Sequence, residues 1–279
     1  MDGKPVLIRH DNEVFPLRSY VERTVKVQPG RQSLLAQLVP GPSVNLASNQ
    51  ILRRLANELV ALSEARVLVV GGGKQRNFFD RLLGEYGNLR FWYCDVDADA
   101  AVDLFCDAHE LPFEEQVFEG VITTAVLEHV MYPERAIREM HRVLVNGGLI
   151  YSELPFMQQV HEGAYDFTRY SLSGHRRLCN QFNELSSGIV AGPGTALVWA
   201  VEHFALCFVR GRGPRLLVKA VVRFALFWVK YFDYLFRNNP QATDGASCTY
   251  FFGRKEVNGG ATDREIIDRY SGAQELSHA

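Results

Sequence analysis

From Arg66 onward the chain alternates short apolar runs with amphipathic stretches, and this alternation limits what it can fold into more than any other feature. RVLVVG (66–71) is continuously apolar and ends in three glycines. A run this short, without polar alternation, suits a strand buried on both faces. RFWYCD (90–95), VDLFCDA (102–108), EGVITTA (119–125) and LIYSEL (149–154) read as four further strands. Between them a helix is predicted from about Gln75 to Leu83. Another runs from Pro133 to Val145, with proline in its first turn, Ile137, Met140 and Leu144 on one face, and an Asn146-Gly147-Gly148 stop. Upstream, Ser48 is expected to cap a helix reaching about Ala65, with Ile51, Leu52, Leu55, Leu59 and Leu62 on its apolar face. Strands alternating with helices predict an α/β, doubly wound, mostly parallel sheet with helices on both faces.

With 279 residues, the chain is long enough for one large domain. The pattern divides it into an irregular N-terminal extension (1–47), a core (48–194 and 245–256), an apolar helical insertion (195–240) and a polar tail expected to fray (257–279). A net charge of -2 gives no basic field for nucleic acid. Five cysteines, odd in number and without a CxxC pair, indicate neither a zinc site nor a disulfide framework, and no metal is predicted. MDGKPVLIRHDNE lacks the pattern of a signal peptide, so the expected location is cytoplasmic.

In an open parallel sheet, ligands bind beyond the carboxyl ends of the strands. Gly71, Gly72 and Gly73 end the first strand and would let a ligand approach the backbone. The run GGGKQR is neither the GxGxxG of a dinucleotide site nor a P-loop, which disfavours a nicotinamide oxidoreductase. Asp95 ends the second strand, where a carboxylate can accept both hydroxyls of a ribose. Asp107 follows the third and could accept an adenine amino N–H, beside an apolar wall from Leu111 and Phe113. The polar, aromatic segment 161–170 follows the fifth strand, on the rim where a substrate arrives. There His161 could act as a general base, with Asp166, Arg169 and Tyr170 as substrate contacts; the other reading is that His161, Asp166 and Arg169 merely staple their own loop.

The ordered series GGG, CDAHELPF, AVLEHV, RVLVNGG and LPF resembles the class I S-adenosylmethionine-dependent methyltransferases, particularly the type 11 branch. The resemblance covers roughly residues 66–190 and is most specific from Asp107 to Phe156. It implies a Rossmann-like sheet of seven strands with the last antiparallel, a role that suits SCTYFFGRK (247–255). It implies S-adenosylmethionine as cofactor, with Gly71 and Gly73 along its methionine part, Asp95 on the ribose, Asp107 and Ala108 at the adenine, and Ala125 and Val126 under the reacting methyl. Glu128 and His129 would position the next helix and the substrate pocket, and Phe156 would join that pocket. Two positions depart from the family's pattern: Val69 stands where an acid is usual, and Gln75 where a glycine is common.

Residues 196–209 and 214–236 are rich in Leu, Val, Phe and Trp. Arg215, Lys219, Arg223, Lys230, Asp233 and Arg237 fall within an arc of roughly 80° at helical spacing. Charges at every turn disfavour a transmembrane span. Two readings stay open for 196–237: helices lying in a membrane interface with basic residues toward the headgroups, or a lid packed on the core or on a second subunit. The sequence thus predicts a methyltransferase for a small-molecule acceptor, lipid-linked or glycan in one version, with oxygen or carbon favoured over nitrogen. The alternative is a non-catalytic module of the same fold that binds a membrane or a protein partner. Oligomeric state is not predicted.

Overall fold

The computed structural model describes residues 3–22, 39–73 and 75–274. Pro29-Gly30 and the last five residues of the expected tail lie outside these. The helices are α1 (Leu17–Val21), α2 (Ser48–Leu59), α3 (Arg76–Leu83), α4 (Pro133–Val143), α5 (Leu172–Leu178), α6 (Pro193–Leu206), α7 (Arg212–Leu226), α8 (Phe232–Phe236), α9 (Pro240–Asp244) and α10 (Asp263–Asp268). The strands are β1 (Ala65–Val70), β2 (Leu89–Asp95), β3 (Leu104–Phe105), β4 (Phe118–Thr124), β5 (Leu144–Pro155), β6 (Asn183–Ala191) and β7 (Cys248–Arg254). They form one seven-stranded sheet in the order β3-β2-β1-β4-β5-β7-β6. β7 runs antiparallel to both of its neighbours, and the remaining pairs are parallel.

Side-chain alternation along β1 shows why its sequence is continuously apolar. Val67 and Val69 enter a core shared with Leu52, Leu55 and Leu59 of α2 and Phe79 and Leu83 of α3. Leu68 and Val70 enter the opposite core, with Ile137, Met140 and Val143 of α4. Both faces are therefore covered, as a parallel sheet requires. The chain order reverses on either side of β1, so the crevice between the β1 and β4 ends is the topological switch point.

Several expectations are corrected. α2 ends at Leu59, because Asn88 Nδ2 donates to the Leu59 and Leu62 carbonyls and closes the helix; Leu62 is exposed. Ser48 is the first helical residue rather than the cap, and its N–H is accepted by Asn45 Oδ1. β3 shrinks to two residues, so Asp107 and Ala108 lie in a loop. β6 escaped the sequence reading because it is an edge strand: only its last three residues, Ile189–Ala191, are fully buried, so it shows no clean alternation. The tail does not fray over residues 263–274: a capping box between Thr262 and Glu265 starts α10, Ile266 is buried, Arg176 donates to the Arg269 carbonyl, and Tyr270 bonds Asp244.

His175 of α5 is fully buried between β5 and β7, with ring nitrogens 3.0 Å from Thr249 Oγ1 and from Ser152 Oγ. Burial pushes its pKa down to about 3. The unfolded chain therefore binds a proton on this imidazole that the folded chain refuses between its ordinary pKa of 6.5 and about 3. Stability should fall on acidification through that window, by at most about 1.4 kcal/mol per pH unit from this group. Urea melts of parent and His175→Gln between pH 7 and 4 test this: the parent should show the steeper loss, and parallel curves would refute it.

Candidate functional site

A cleft of about 750 Å³ opens at the carboxyl ends of β1, β2 and β4, at the switch point. Its floor is the turn after β1. Gly71 sits at φ +71°, and a Cβ there would lie 2.2 Å from Val126 Cγ2, so only glycine fits. Gly73 packs equally closely, its virtual Cβ 2.3 Å from Ala100 Cβ, while its N–H donates to Asp95 Oδ2 at 3.3 Å. Gly72 faces away from the cleft, against Val69 and Tyr93. Across the floor, Ala125 is held at φ +53°, a region rare for a residue with a Cβ, its N–H bound to the Glu153 carbonyl.

Asp95 is buried at the cleft wall, with Oδ1 accepting the Asp97 N–H and Oδ2 that of Gly73. Burial raises its carboxyl above the usual range despite these bonds. Asp107 behaves oppositely. Burial would raise it, but bonds from the His109 ring and N–H and from Asn12 Nδ2 outweigh that and lower it. Asn12 belongs to the N-terminal extension, which is part of the site rather than a loose arm. Phe105 N–H donates to the Pro5 carbonyl and Leu7 N–H to the Phe105 carbonyl, so the segment adds itself to the β3 edge. Val14 and Phe15 then line the cleft, Phe15 stacking on Tyr165 at 6.0 Å, and Tyr20 donates to the Val96 carbonyl. This docking left no sequence signal, because an isolated bridge and single apolar contacts have no period.

The opposite wall carries His129, Val130, Tyr165 and Phe167. His129 Nδ1 is 2.7 Å from the Tyr165 carbonyl, and its Nε2 is 3.6 Å from Glu128 Oε1. Glu128 is wholly buried, neither carboxylate oxygen has a hydrogen-bond partner, and burial pushes its pKa up to about 8. His161 stands behind His129, ring centroids 4.9 Å apart, with Nε2 3.9 Å from the same Glu128 oxygen.

Of the residues expected at the site, Gly71, Asp95, Asp107, Ala108, Ala125, Val126 and His129 line the cleft together. His161 reaches it only through His129. Asp166 and Arg169 are not on its wall. They bond each other, Arg169 also donates to the carbonyls of Gln158, Gln159 and Thr168, and Asp166 accepts the His161 N–H. Burial would raise the Asp166 carboxyl, but Arg169 holds it at about 2. The pair staples its own loop. Tyr170 is buried in the core beside α5, and Phe156 lines a separate depression with Arg176 and Tyr270. A loop this short cannot turn every polar side chain inward and still satisfy its own buried carbonyls. At the departures from the family's pattern, Val69 is a core residue, and Gln75 precedes α3 and accepts the Thr124 hydroxyl, tying that helix to the end of β4.

Residues 78–152 match the family model described as a methyltransferase domain, of type 11. The ubiquinone/menaquinone biosynthesis C-methyltransferase UbiE of Neisseria gonorrhoeae is 39% identical over 67 residues, 24% of this chain and 27% of the relative. Its counterpart from Neisseria meningitidis serogroup B is 37% identical over the same length. The chain thus spans about a quarter of the length of the curated relatives it matches. Among solved structures, the [4+2]-cyclase SpnF aligns at a TM-score of 0.47 and 20% identity, over 76% of this chain and 83% of that one. The phosphoethanolamine N-methyltransferase 2 of Haemonchus contortus, in complex with S-adenosyl-L-methionine, aligns at 0.49 and 14% identity, over 76% and 54%. The matched stretch, together with the strand order, bears out the resemblance to the class I S-adenosylmethionine-dependent methyltransferases of the type 11 branch.

Proposed function

Starting from a chain with a type 11 methyltransferase domain, we propose that it transfers a methyl group from S-adenosylmethionine to oxygen or carbon of a small molecule. The observation that carries this is the cleft: a buried carboxylate, a glycine turn too tight for any Cβ and apolar walls converge at the switch point. The bound cofactor would supply a methyl on a sulfonium. Asp95 would accept the ribose hydroxyls, Ala108 would flank the adenine, and Ala125 and Val126 would underlie the reacting group. His129, rather than His161, is assigned to the acceptor, because it forms the wall while His161 supports it. The chain's task is then mainly to hold acceptor and methyl in line, an effect worth up to roughly 7–11 kcal/mol in ideal systems. The Asp/Asn-Pro-Pro-Tyr motif of amino-group methyltransferases of DNA is replaced here by Ala125-Val126-Leu127-Glu128. Incubation with methyl-labelled cofactor and a panel of phenols, hydroxy acids and quinols tests the reading. Label should enter organic small molecules; label confined to protein or nucleic acid would overturn it.

A finer reading, that the acceptor is met at a membrane surface, is favoured by the insertion. Among the described residues no helix is long and apolar enough to cross a membrane. Yet α7 buries none of its residues, and Leu217, Phe224 and Trp228 are 67%, 55% and 51% exposed. These side chains are not packed on the chain's own core, and the charge expectation is corrected too. Arg223 and Lys219 turn inward to the buried Glu202 of α6, and Lys230 donates to the Gly41 carbonyl. Four members of the polar stripe, Lys219, Arg223, Lys230 and Asp233, thus face the inner seam, and much of the apolar arc faces outward. Basic groups left for headgroups are the exposed Arg210, Arg212, Arg215 and Arg237. Trp199 of α6 lies 6.4 Å from His161, which links this surface to the site. The protein should co-sediment with anionic vesicles, less so with salt and less for Arg212→Glu, Arg215→Glu, each basic residue contributing about 1 kcal/mol. Equal recovery of parent and variant in the supernatant at low salt would refute it.

A further inference from the structure

We propose that Glu128, His129 and His161 form a binding site for a divalent first-row transition metal of the zinc type, at the acceptor wall of the cleft. The expectation of no metal rested on cysteine spacing and did not weigh histidine and carboxylate ligands. It goes beyond methyl transfer and does not depend on it. The argument begins with the tautomers. His129 Nδ1 lies 2.7 Å from the Tyr165 carbonyl, and a carbonyl can only accept, so this nitrogen carries the hydrogen. His161 Nδ1 faces the Gln159 carbonyl at 3.3 Å and Asp166 Oδ2 at 3.5 Å, both acceptors, so it too is the protonated nitrogen. Each neutral ring therefore keeps its lone pair on Nε2, the nitrogen that approaches Glu128.

The convergence that results has acceptors on all three sides. The two Nε2 atoms lie 3.6 and 3.9 Å from Glu128 Oε1, and one ligand atom from each of the three residues falls within 4.8 Å of the others. Glu128 is wholly buried, and no hydrogen-bond donor reaches either of its oxygens. Buried polar atoms without partners are rare and call for an explanation. One proton on the carboxyl could serve one imidazole and not both, and both separations exceed a hydrogen bond. They are close to the roughly 3.4 Å between tetrahedral ligands whose bonds to the ion are about 2.1 Å. The carbonyls on both Nδ1 atoms and Asp166 beside His161 are the outer partners that orient metal-bound histidines. Arg169, whose charge acts on Glu128, is occupied by Asp166 and the loop carbonyls. Two imidazoles and one carboxylate suit zinc and its neighbours better than magnesium or calcium. Three protein ligands leave a position open. It faces the cleft, because His129 lines it, and would take an oxygen of a hydroxyl- or carboxylate-bearing small molecule.

The test uses the full chain stripped with a chelator and titrated with Zn²⁺ by calorimetry, then with Co²⁺ followed by visible absorption. One ion per chain should bind, with a cobalt spectrum free of thiolate charge-transfer bands. Glu128→Gln and His161→Ala should each weaken zinc at least tenfold, the scale on which even outer partners matter. Thermal melts check that each variant is folded; should His161→Ala fail, the near-isosteric Glu128→Gln decides. Absence of zinc binding by the parent, a thiolate-bound cobalt spectrum, or undiminished binding by a folded variant would each overturn the site.

Discussion

An Asp233→Ala protein should melt about 6–12 °C below the parent, at roughly 2–4 °C per kcal/mol for a chain of this size. Asp233 is wholly buried at the start of α8, and its carboxylate accepts four hydrogen bonds: from the N–H groups of Gly192 (3.0 Å), Gly194 (2.7 Å) and Thr195 (3.1 Å) and from the Thr195 hydroxyl (2.7 Å). These are orphan donors at the N-terminus of α6, satisfied by a side chain about 40 residues away instead of a local cap. Gly194 is glycine for the same reason, since a Cβ there would stand 2.8 Å from Asp233 Oδ1. Alanine would leave three buried N–H groups without an acceptor. At about 1–3 kcal/mol for each unsatisfied group, and allowing for non-additivity, the loss should be about 3 kcal/mol. Because the contact ties the insertion to the end of β6, amide exchange should rise first in residues 193–244. A melt within 2 °C of the parent and unchanged exchange in that segment would refute the assignment.

Legibility of the fold followed burial. β1 and β4 are covered on both faces and announced themselves as apolar runs. α4 was visible from its proline and its apolar stripe, but it ends at Val143 rather than Val145: Leu144 is already extended, and Asn146-Gly147-Gly148 lie within β5 instead of stopping the helix. β6 and α10 were not, since an edge strand buries only part of itself and α10 docks through Ile266 and a capping box. At the site, strand-end positions were legible because topology fixes where they point: Gly71, Asp95 and Val126 all reach the cleft. Loop positions were not. Asp166, Arg169 and Tyr170 have the residue types of a substrate pocket, but their own loop and the core claim them. The arc of charges was read along one helix, but α7 ends at Leu226 and carries only Arg215, Lys219 and Arg223 of it; Lys230, Asp233 and Arg237 lie beyond the break. Its direction could not be read either, because the buried Glu202 that draws Arg223 inward lies on another helix.

The central claim is that the cleft binds S-adenosylmethionine through Asp95. Its carboxylate uses lone pairs on the Asp97 and Gly73 N–H groups and keeps others for a ribose. Since burial raises its carboxyl and the bonds require the anion, binding should weaken on acidification at a higher pH than an ordinary aspartate would dictate. Two hydrogen bonds to a charged acceptor, opposed by partial solvent replacement, are worth roughly 1.5–3 kcal/mol, or about 10- to 150-fold in affinity. Calorimetric titration of the parent and Asp95→Ala with S-adenosylhomocysteine is the most direct measurement. The account predicts saturable binding by the parent and a loss of that size in the variant. No heat from the parent at millimolar ligand, or equal affinity in both proteins, would contradict it.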